Sequence, residues 1–242
     1  GDRETAAKLL TTFIDGYPRD PRICEALTLR GDMYAKTKKE TEALQDFDRV
    51  IARWPKEESA AAAWQRAAQI YAGRQDLANM AKYYEGLIKN FPKTSPAALA
   101  EAHFLLGRAA FDQGDFQSSI SHMSEAKTLD PQKYGEQVNV LTVLSYHKLQ
   151  DVNKLKEALE TLQKENPAAV SRVPDVIPAW LGLQAYGMKD LETADKYMTW
   201  ATQNDQLQNV KKVIWRNLAK VRLALKLSLI HISEPTRQEA IS

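Results

Sequence analysis

The sequence predicts an all-α protein, a right-handed superhelical solenoid of about twelve antiparallel helices with no strand. Three observations predict this fold. Five prolines recur at a nearly constant interval, apolar residues between them follow helical spacing, and a short turn divides each interval in two. The successive intervals are 37, 37, 39 and 36 residues, which is typical of stacked helical repeats. The five prolines are Pro18, Pro55, Pro92, Pro131 and Pro167.

The fourth repeat shows the pattern most clearly and runs through residues 102–131. Its first helix carries Leu106-Gly107, where a glycine lets two helices approach at a cost of roughly 1 kcal/mol in helix propensity. Gly114 then interrupts the periodic pattern, and glycine readily adopts the positive φ that ends a helix. Apolar residues recur at spacings of three and four in the second helix, and Pro131 ends the unit because proline cannot continue a helix. Each helix pair leaves one apolar face, which a neighbouring pair must cover.

The remaining elements follow in order. Residues 1–20 contain a single helix, Glu4–Gly16, that corresponds to the second helix of a repeat. Asp20-Pro21 and Ser95-Pro96 each combine an N-cap residue with a proline in the first helical position, and so predict where two first helices begin. The fifth repeat is degenerate, and the sixth lacks a closing proline. The predicted repeats are 21–56, 57–93, 94–131, 132–168 and 175–206, followed by a final helix at 207–226.

Both ends of the chain depart from this pattern. A stack does not normally begin or end with half a repeat, because the apolar face would meet water, so we expect the array 1–226 to be truncated at both ends. Residues 227–237, LSLIHISEPTR, closely resemble the in-frame translation of a transposase-type sequencing adapter. Residues 227–242 are therefore predicted to be a non-native tail. The alternative is a genuine tail that begins where the helical pattern stops.

The repeat resembles that of the tetratricopeptide repeat superfamily. Its period and its aromatic–proline endings are similar to those of bacterial envelope members, among them the lipoprotein of the outer-membrane assembly machine and the periplasmic protein that works with the Tol-Pal system. The resemblance implies a protein–protein interaction scaffold, periplasmic or otherwise associated with the cell envelope, although a cytoplasmic location also fits the sequence. The residues of the fourth repeat that match the family pattern are Leu106, Gly107, Gly114, Ser119, Met123, Ala126 and Pro131.

The resemblance also implies a binding surface. In this family the first helix of each pair lines the concave face, where inward positions are not needed to hold the stack together. Here these positions carry amides, one arginine and aromatic groups, which suit an extended peptide or a partner helix. We expect Phe104 and Trp180 to expose apolar area to water and Arg108 to offer a charge-assisted hydrogen bond; burial of Trp180 in an irregular sixth repeat is the alternative. The predicted partner-binding residues are Gln65, Gln69, Phe104, Arg108, His147, Trp180 and Gln184.

One ligand known for the family is not predicted. The inward positions lack the lysine and asparagine residues with which chaperone-binding members hold a C-terminal carboxylate.

No residue pattern indicates catalysis, a metal or a cofactor. The single cysteine, Cys24, lies in no nucleophile motif, and no glycine-rich phosphate-binding loop occurs. None of the four histidines has metal-ligand spacing to another histidine or cysteine. We expect His103 in the core and His122 against a neighbouring repeat. The sequence therefore predicts no enzymatic activity, no metal and no cofactor.

Charge and hydropathy narrow the class of partner. Lys and Arg number 33 and Asp and Glu number 31, which gives a net charge of +2 and argues against nucleic-acid binding by bulk charge. No apolar run approaches the roughly 18 residues that span a membrane. We therefore expect a protein or peptide partner, with the oligomeric state left open. Two alternatives remain: a non-catalytic repeat segment of a larger enzyme or regulator, or a stack that only mediates self-association.

Overall fold

The computed structural model describes residues 2–203 and 208–225, and over these ranges the protein has twelve α-helices, one 3₁₀ helix and no strand. The predicted all-α fold of about twelve helices is confirmed. The predicted tail, residues 227–242, lies outside the described residues. The helices are α1 (Asp2–Gly16), α2 (Ile23–Lys36), α3 (Glu40–Arg53), α4 (Glu58–Gly73), α5 (Leu77–Asn90), α6 (Pro96–Asp112), α7 (Phe116–Leu129), α8 (Pro131–Lys148), α9 (Val152–Glu165), the 3₁₀ helix Pro167–Arg172, α10 (Val176–Gly187), α11 (Leu191–Thr202) and α12 (Gln208–Ala224).

The chain divides into two compact units, residues 1–138 and 139–242. In the first unit α1 to α6 each pack on the next helix, and α2 also packs on α4. Its core holds fully buried Leu27, Phe47 and Tyr84. In the second unit α10 packs on α9, α11 and α12, around fully buried Leu159 and Tyr197. Successive amphipathic helices thus bury their apolar faces against one another within each unit.

The turns inside the helix pairs share one backbone conformation. Across the described ranges five residues adopt a positive φ, between 57° and 83°, and only one of these is a glycine. In the last four of these turns the next residue is an aspartate whose carboxylate accepts the N–H three residues later, which caps the second helix. The sequence reasoning identified the turn glycine of one repeat and missed the recurring aspartate. The positive-φ residues are Lys38, Gln75, Gly114, Gln150 and Lys189, and the capping residues are Asp76, Asp115, Asp151 and Asp190.

Glycines permit close contact within the helix pairs, as the sequence predicts for Gly107. A Cβ atom added at Gly107 would lie 3.1 Å from the Cγ atom of Met123. One added at Gly182 would lie 2.8 Å from Cγ and 2.9 Å from the backbone nitrogen of Met198. At Gly182 the backbone nitrogen of Met198 stands in the way, so a methyl group would displace the second helix. At Gly107 the side chains of Met123 and His122 would have to shift by a few tenths of an ångström.

One predicted helix start is wrong, and one closing proline has a second role. Helix α2 begins at Ile23 rather than after Asp20, because Asp20 Oδ1 accepts the N–H of Arg22 at 2.8 Å and fixes a turn there. Pro131 does more than end a repeat, because it is the first residue of α8. Proline is compatible with that position, where the missing N–H has no helical partner. The start of α6 at Pro96, with Ser95 as N-cap, is as predicted.

Candidate functional site

A polar cluster joins two first helices, α4 and α6, in the first unit. Glu101 of α6 accepts a hydrogen bond from Gln65 Nε2 at 2.8 Å and from Gln69 Nε2 at 2.8 Å. It also accepts one from the hydroxyl of Tyr84 at 3.2 Å. Because three donors from the preceding repeat share one carboxylate, the cluster stabilises the junction between the two repeats.

This cluster changes the interpretation of two predicted partner-binding residues. The amide nitrogens of Gln65 and Gln69 are engaged with Glu101, and Gln69 Oε1 accepts a further bond from Arg66 Nη1 at 3.3 Å. The expectation that these positions are not needed to hold the stack is therefore wrong. Their amide nitrogens hold α4 to α6 and are not both available to a partner.

Phe104 is also buried. Only 8% of its surface is exposed, and its ring stacks on that of Tyr134 with centroids 4.6 Å apart. The expectation that Phe104 exposes apolar area to water is wrong, because α8 begins directly at Pro131 and places Tyr134 against it. No signal in the fourth repeat alone indicates this contact.

Four of the predicted partner-binding residues lie in the first unit, and Arg108 is the one among them that is exposed to solvent. It lies on α6, seven residues after Glu101, and borders a groove of about 530 Å³ between α6 and the α4–α5 turn. The guanidinium forms no hydrogen bond or ion pair within the part of the chain that the structure describes. The groove therefore combines an apolar lining with an available cation and a carboxylate. Its lining residues are Ala72, Gln75, Leu77, Met80, Leu105, Arg108, Ala109 and Asp112.

The other three predicted residues lie in the second unit. The rings of His147 and Trp180 meet edge to face, with centroids 5.4 Å apart and planes at 89°. Both are half-buried, whereas Gln184, one helical turn after Trp180, is exposed. Burial lowers the pKa of His147, and the nearby Lys148 lowers it further, so the imidazole is neutral at pH 7. The pair presents a partly exposed aromatic surface.

Two other side chains that could carry chemistry are placed by the structure. Cys24 is buried, and burial raises the pKa of its thiol, so it is not a thiolate at neutral pH. His103 is half-buried and lies against His122 of its own repeat, with the two Nδ1 atoms 3.0 Å apart. We expected His122 to lie against a neighbouring repeat, but its ring contacts His103 of its own repeat. The sequence analysis missed this pair because its members are on different helices.

None of the helices within residues 2–203 and 208–225 is both long and apolar enough to cross a membrane.

Comparison with known proteins identifies the repeats. Three family models, each described as tetratricopeptide repeat, match residues 1–58, 62–94 and 100–133. Together they cover more than half of the chain. No curated protein sequence gives a significant match.

Solved structures of the same repeat type superpose on most of the chain. A tetratricopeptide repeat protein from Parabacteroides merdae is 14% identical and aligns over 91% of this chain and 93% of its own, with a TM-score of 0.53. The MamA protein is 16% identical over 87% of this chain and 100% of its own, with a TM-score of 0.51. The C-terminal part of a repeat protein from Cytophaga hutchinsonii is 12% identical over 99% and 93%, with a TM-score of 0.50. At these identities the likeness shows the fold alone.

Proposed function

The chain belongs to the tetratricopeptide repeat superfamily, and on that premise we propose that it binds an extended peptide or a partner helix on the concave face formed by its first helices. Such an array is a protein–protein interaction scaffold. The observation that carries the finer proposal is the groove between α6 and the α4–α5 turn, with Arg108 at its edge.

The groove suits a segment with one apolar side chain and a nearby acceptor. Leu77, Met80 and Leu105 offer apolar lining, and burial of apolar area supplies about 25 cal/mol per Å². Arg108 supplies a charge-assisted hydrogen bond to a carboxylate or a carbonyl oxygen. Gln65, Gln69 and Phe104 do not line the groove, and their polar or aromatic groups are engaged with Glu101 and Tyr134.

The second unit offers a surface of its own. Trp180 and His147 present half-buried rings beside the exposed Gln184. Tryptophan is enriched among residues that dominate binding energy, and an adjacent amide can bond the backbone of an extended peptide. We include these three residues in the proposed partner-binding set.

Selected peptides and charge reversal provide the test. Peptides are selected from a random library on the purified chain, and fluorescence anisotropy then measures their affinity. Arg108→Glu should weaken binding by roughly tenfold or more, because a hydrogen bond to a charged group contributes about 1.5–3 kcal/mol. Arg53→Glu is the matched control, since Arg53 is exposed on α3 and borders no part of the groove.

The outcomes distinguish the surfaces. Peptides that lose affinity on Trp180→Ala or Gln184→Ala but not on Arg108→Glu would place binding in the second unit. Equal affinity for wild type, Arg108→Glu, Trp180→Ala and Gln184→Ala would refute the proposal for both surfaces.

We also propose a location in the bacterial cell envelope. Its support is the repeat style, a near-37-residue period with Tyr17-Pro18, Trp54-Pro55 and Phe91-Pro92 endings. Recovering the complete reading frame from the source genome tests it. An export signal supports the envelope scaffold, whereas a fused kinase, transferase or protease domain would make this array a segment of a larger enzyme.

A further inference from the structure

One side of α12, here termed the basic face, carries three exposed cations and two exposed apolar side chains. Val213 is 51% and Leu223 is 70% exposed, and Lys212, Arg216 and Lys220 are exposed as well. With 3.6 residues per helical turn, these five residues fall within an arc of about 100°. The opposite side of α12 packs on α10 and α11. The basic face is therefore the side of the helix that stays open after the second unit has formed its core.

The positive charge of α12 is not balanced within the helix. Residues 208–224 contain five lysine or arginine residues and no aspartate or glutamate, so α12 has a net charge of +5 whereas the whole chain has +2. Every other α-helix of the described ranges that carries a lysine or arginine also carries at least one carboxylate. The five cations are Lys211, Lys212, Arg216, Lys220 and Arg222.

Among the described residues, the helices that pack on α12 supply no ion-pair partner to the basic face. Lys212, Arg216 and Lys220 form no hydrogen bond or ion pair within residues 2–203 and 208–225. Helix α10 carries no charged residue, and Asp195 of α11 is engaged with Arg222 at 2.7 Å. The three exposed cations are therefore available to a negatively charged partner.

The spacing of these cations defines the partner that would neutralise them. Lys212 and Arg216 are four residues apart, as are Arg216 and Lys220, and like charges at this spacing destabilise a helix. At a rise of 1.5 Å per residue, the cations recur about every 6 Å over about 12 Å. A second helix with a carboxylate at every fourth residue repeats its charge at the same interval. Two such helices lying side by side pair their charges in register, as flanking charges do in coiled coils.

We propose that the basic face of α12 binds an acidic, amphipathic helix of a partner protein. Three carboxylates of that helix, four residues apart, pair with Lys212, Arg216 and Lys220, and the Arg216 guanidinium binds its carboxylate bidentately. Apolar side chains of the same helix cover Val213 and Leu223, because burial of exposed apolar area is favourable. The inference names a partner class for the proposed interaction scaffold and rests on it, but none of these five residues lines the groove at Arg108.

Two other kinds of polyanion are competing partners. A nucleic acid would neutralise the cations, but its phosphates would not cover Val213 and Leu223, and three cations release few counterions. An anionic membrane would also attract the three charges, but the apolar side of α12 is already buried and is not available to enter the lipid interface. A simple solvated surface is the remaining alternative, and it predicts no selectivity among acidic sequences.

The test uses the full chain and measures the binding of labelled probes by fluorescence anisotropy. The first probe is a helical peptide with glutamate at every fourth residue and leucine at both ends of the same face. A scrambled peptide of the same composition, a single-stranded polythymidylate and vesicles containing phosphatidylserine are the comparisons. The periodic peptide should bind roughly tenfold or more tightly than the scrambled one, and its affinity should fall as NaCl is raised from about 50 to about 300 mM.

Variants of α12 locate the site. Arg216→Glu and Lys220→Glu should each weaken binding of the periodic peptide roughly tenfold or more, and Leu223→Ser should weaken it severalfold. Lys164→Glu is the matched control, since Lys164 is exposed on α9 of the same unit, and it should bind as wild type does. The triple variant Lys212→Glu, Arg216→Glu, Lys220→Glu should lose the glutamate peptide and bind its lysine counterpart, which also shows that the variant is folded.

Equal binding of the periodic and scrambled peptides would overturn the proposal, and this comparison needs the wild-type chain alone. Tighter binding of polythymidylate or of the vesicles would also overturn it and assign the basic face to a nucleic acid or a membrane. Arg108→Glu should bind the periodic peptide as wild type does. If Arg108→Glu loses the peptide while Arg216→Glu and Lys220→Glu retain it, the acidic helix binds at the groove and the assignment to α12 is wrong. Failure of the groove proposal is seen separately, in the response of library-selected peptides to Arg108→Glu.

Discussion

Replacing Gly182 by alanine tests whether close helix contact limits the stability of the second unit. The new methyl group would lie 2.8 Å from Cγ and 2.9 Å from the backbone nitrogen of Met198, and 3.4 Å from the carbonyl oxygen of Ala194. Met198 is fully buried, and a backbone nitrogen cannot rotate away. Helix α11 must therefore move by several tenths of an ångström for the methyl group to fit.

The magnitude follows from two opposing contributions. Alanine gains about 1 kcal/mol of helix propensity over glycine, whereas overpacking a close contact costs about 1–3 kcal/mol. Because backbone atoms form part of this contact, we place the cost toward the upper end and expect a net loss of about 1–2 kcal/mol. For a chain of this size that corresponds to a decrease in melting temperature of about 2–8 °C.

Gly187→Ala is the matched control in the same helix. A Cβ added there meets no atom within 4 Å, so the propensity gain should remain, at up to about 1 kcal/mol. Urea denaturation followed by circular dichroism measures both variants. If Gly182→Ala is as stable as Gly187→Ala, the contact between α10 and α11 does not constrain this position and the reasoning fails.

Three further predictions follow from the turns, the Glu101 cluster and the histidine pair. Glycine at a positive-φ position should stabilise the chain in thermal melts by about 0.5–1 kcal/mol, which applies to Lys38→Gly, Gln75→Gly, Gln150→Gly and Lys189→Gly. The left-handed conformation costs a non-glycine residue about 1–2 kcal/mol, and glycine loses part of that gain in entropy. The control Arg74→Gly, at a φ of −81°, should destabilise the chain instead. Glu101→Ala should lower the free energy of unfolding by about 2 kcal/mol or more, since it leaves three donors without their acceptor, whereas Tyr84→Phe should cost about 1 kcal/mol; equal effects of the two changes would contradict the shared-acceptor geometry. Burial lowers the pKa of His103 and His122 below the usual value near 6.5. The unfolded chain therefore binds more protons, and stability should be full above about pH 6.5 and fall as the pH decreases. His122→Asn should flatten this fall in melts between pH 7.5 and 5, and an unchanged slope would contradict this prediction.

The fold could be predicted from the sequence because the contacts within a repeat depend on residues that are close together in the chain. Leu106-Gly107 and Gly114 mark a close contact and a turn within thirty residues, and both are found where expected. The turn conformation was predicted only for Gly114, although Lys38 and three other non-glycine residues adopt it. A rule based on glycine cannot detect them, because in these turns lysine and glutamine adopt the left-handed conformation.

The candidate site was predicted less well, because it depends on contacts between repeats. Position alone placed Arg108 on an exposed surface, and the structure agrees. It could not show that Glu101, one repeat away, engages Gln65 and Gln69. Nor could it place Tyr134 over Phe104, which depends on α8 starting at Pro131 without a spacer.

The position of Glu101 has a consequence for how the array opens. In a repeat stack, whether units unfold singly or as a block depends on nearest-neighbour interface energies relative to the stability of each unit. Two helices with an apolar interface can shift along each other at little cost. The Glu101 carboxylate accepts hydrogen bonds from Gln65, Gln69 and Tyr84, and all three bonds are lost if one helix shifts along the other. The junction therefore fixes the register of α4 against α6 and couples their opening. Backbone amides of these two helices should exchange with deuterium together and at one rate, whereas in Glu101→Ala the two helices should exchange independently.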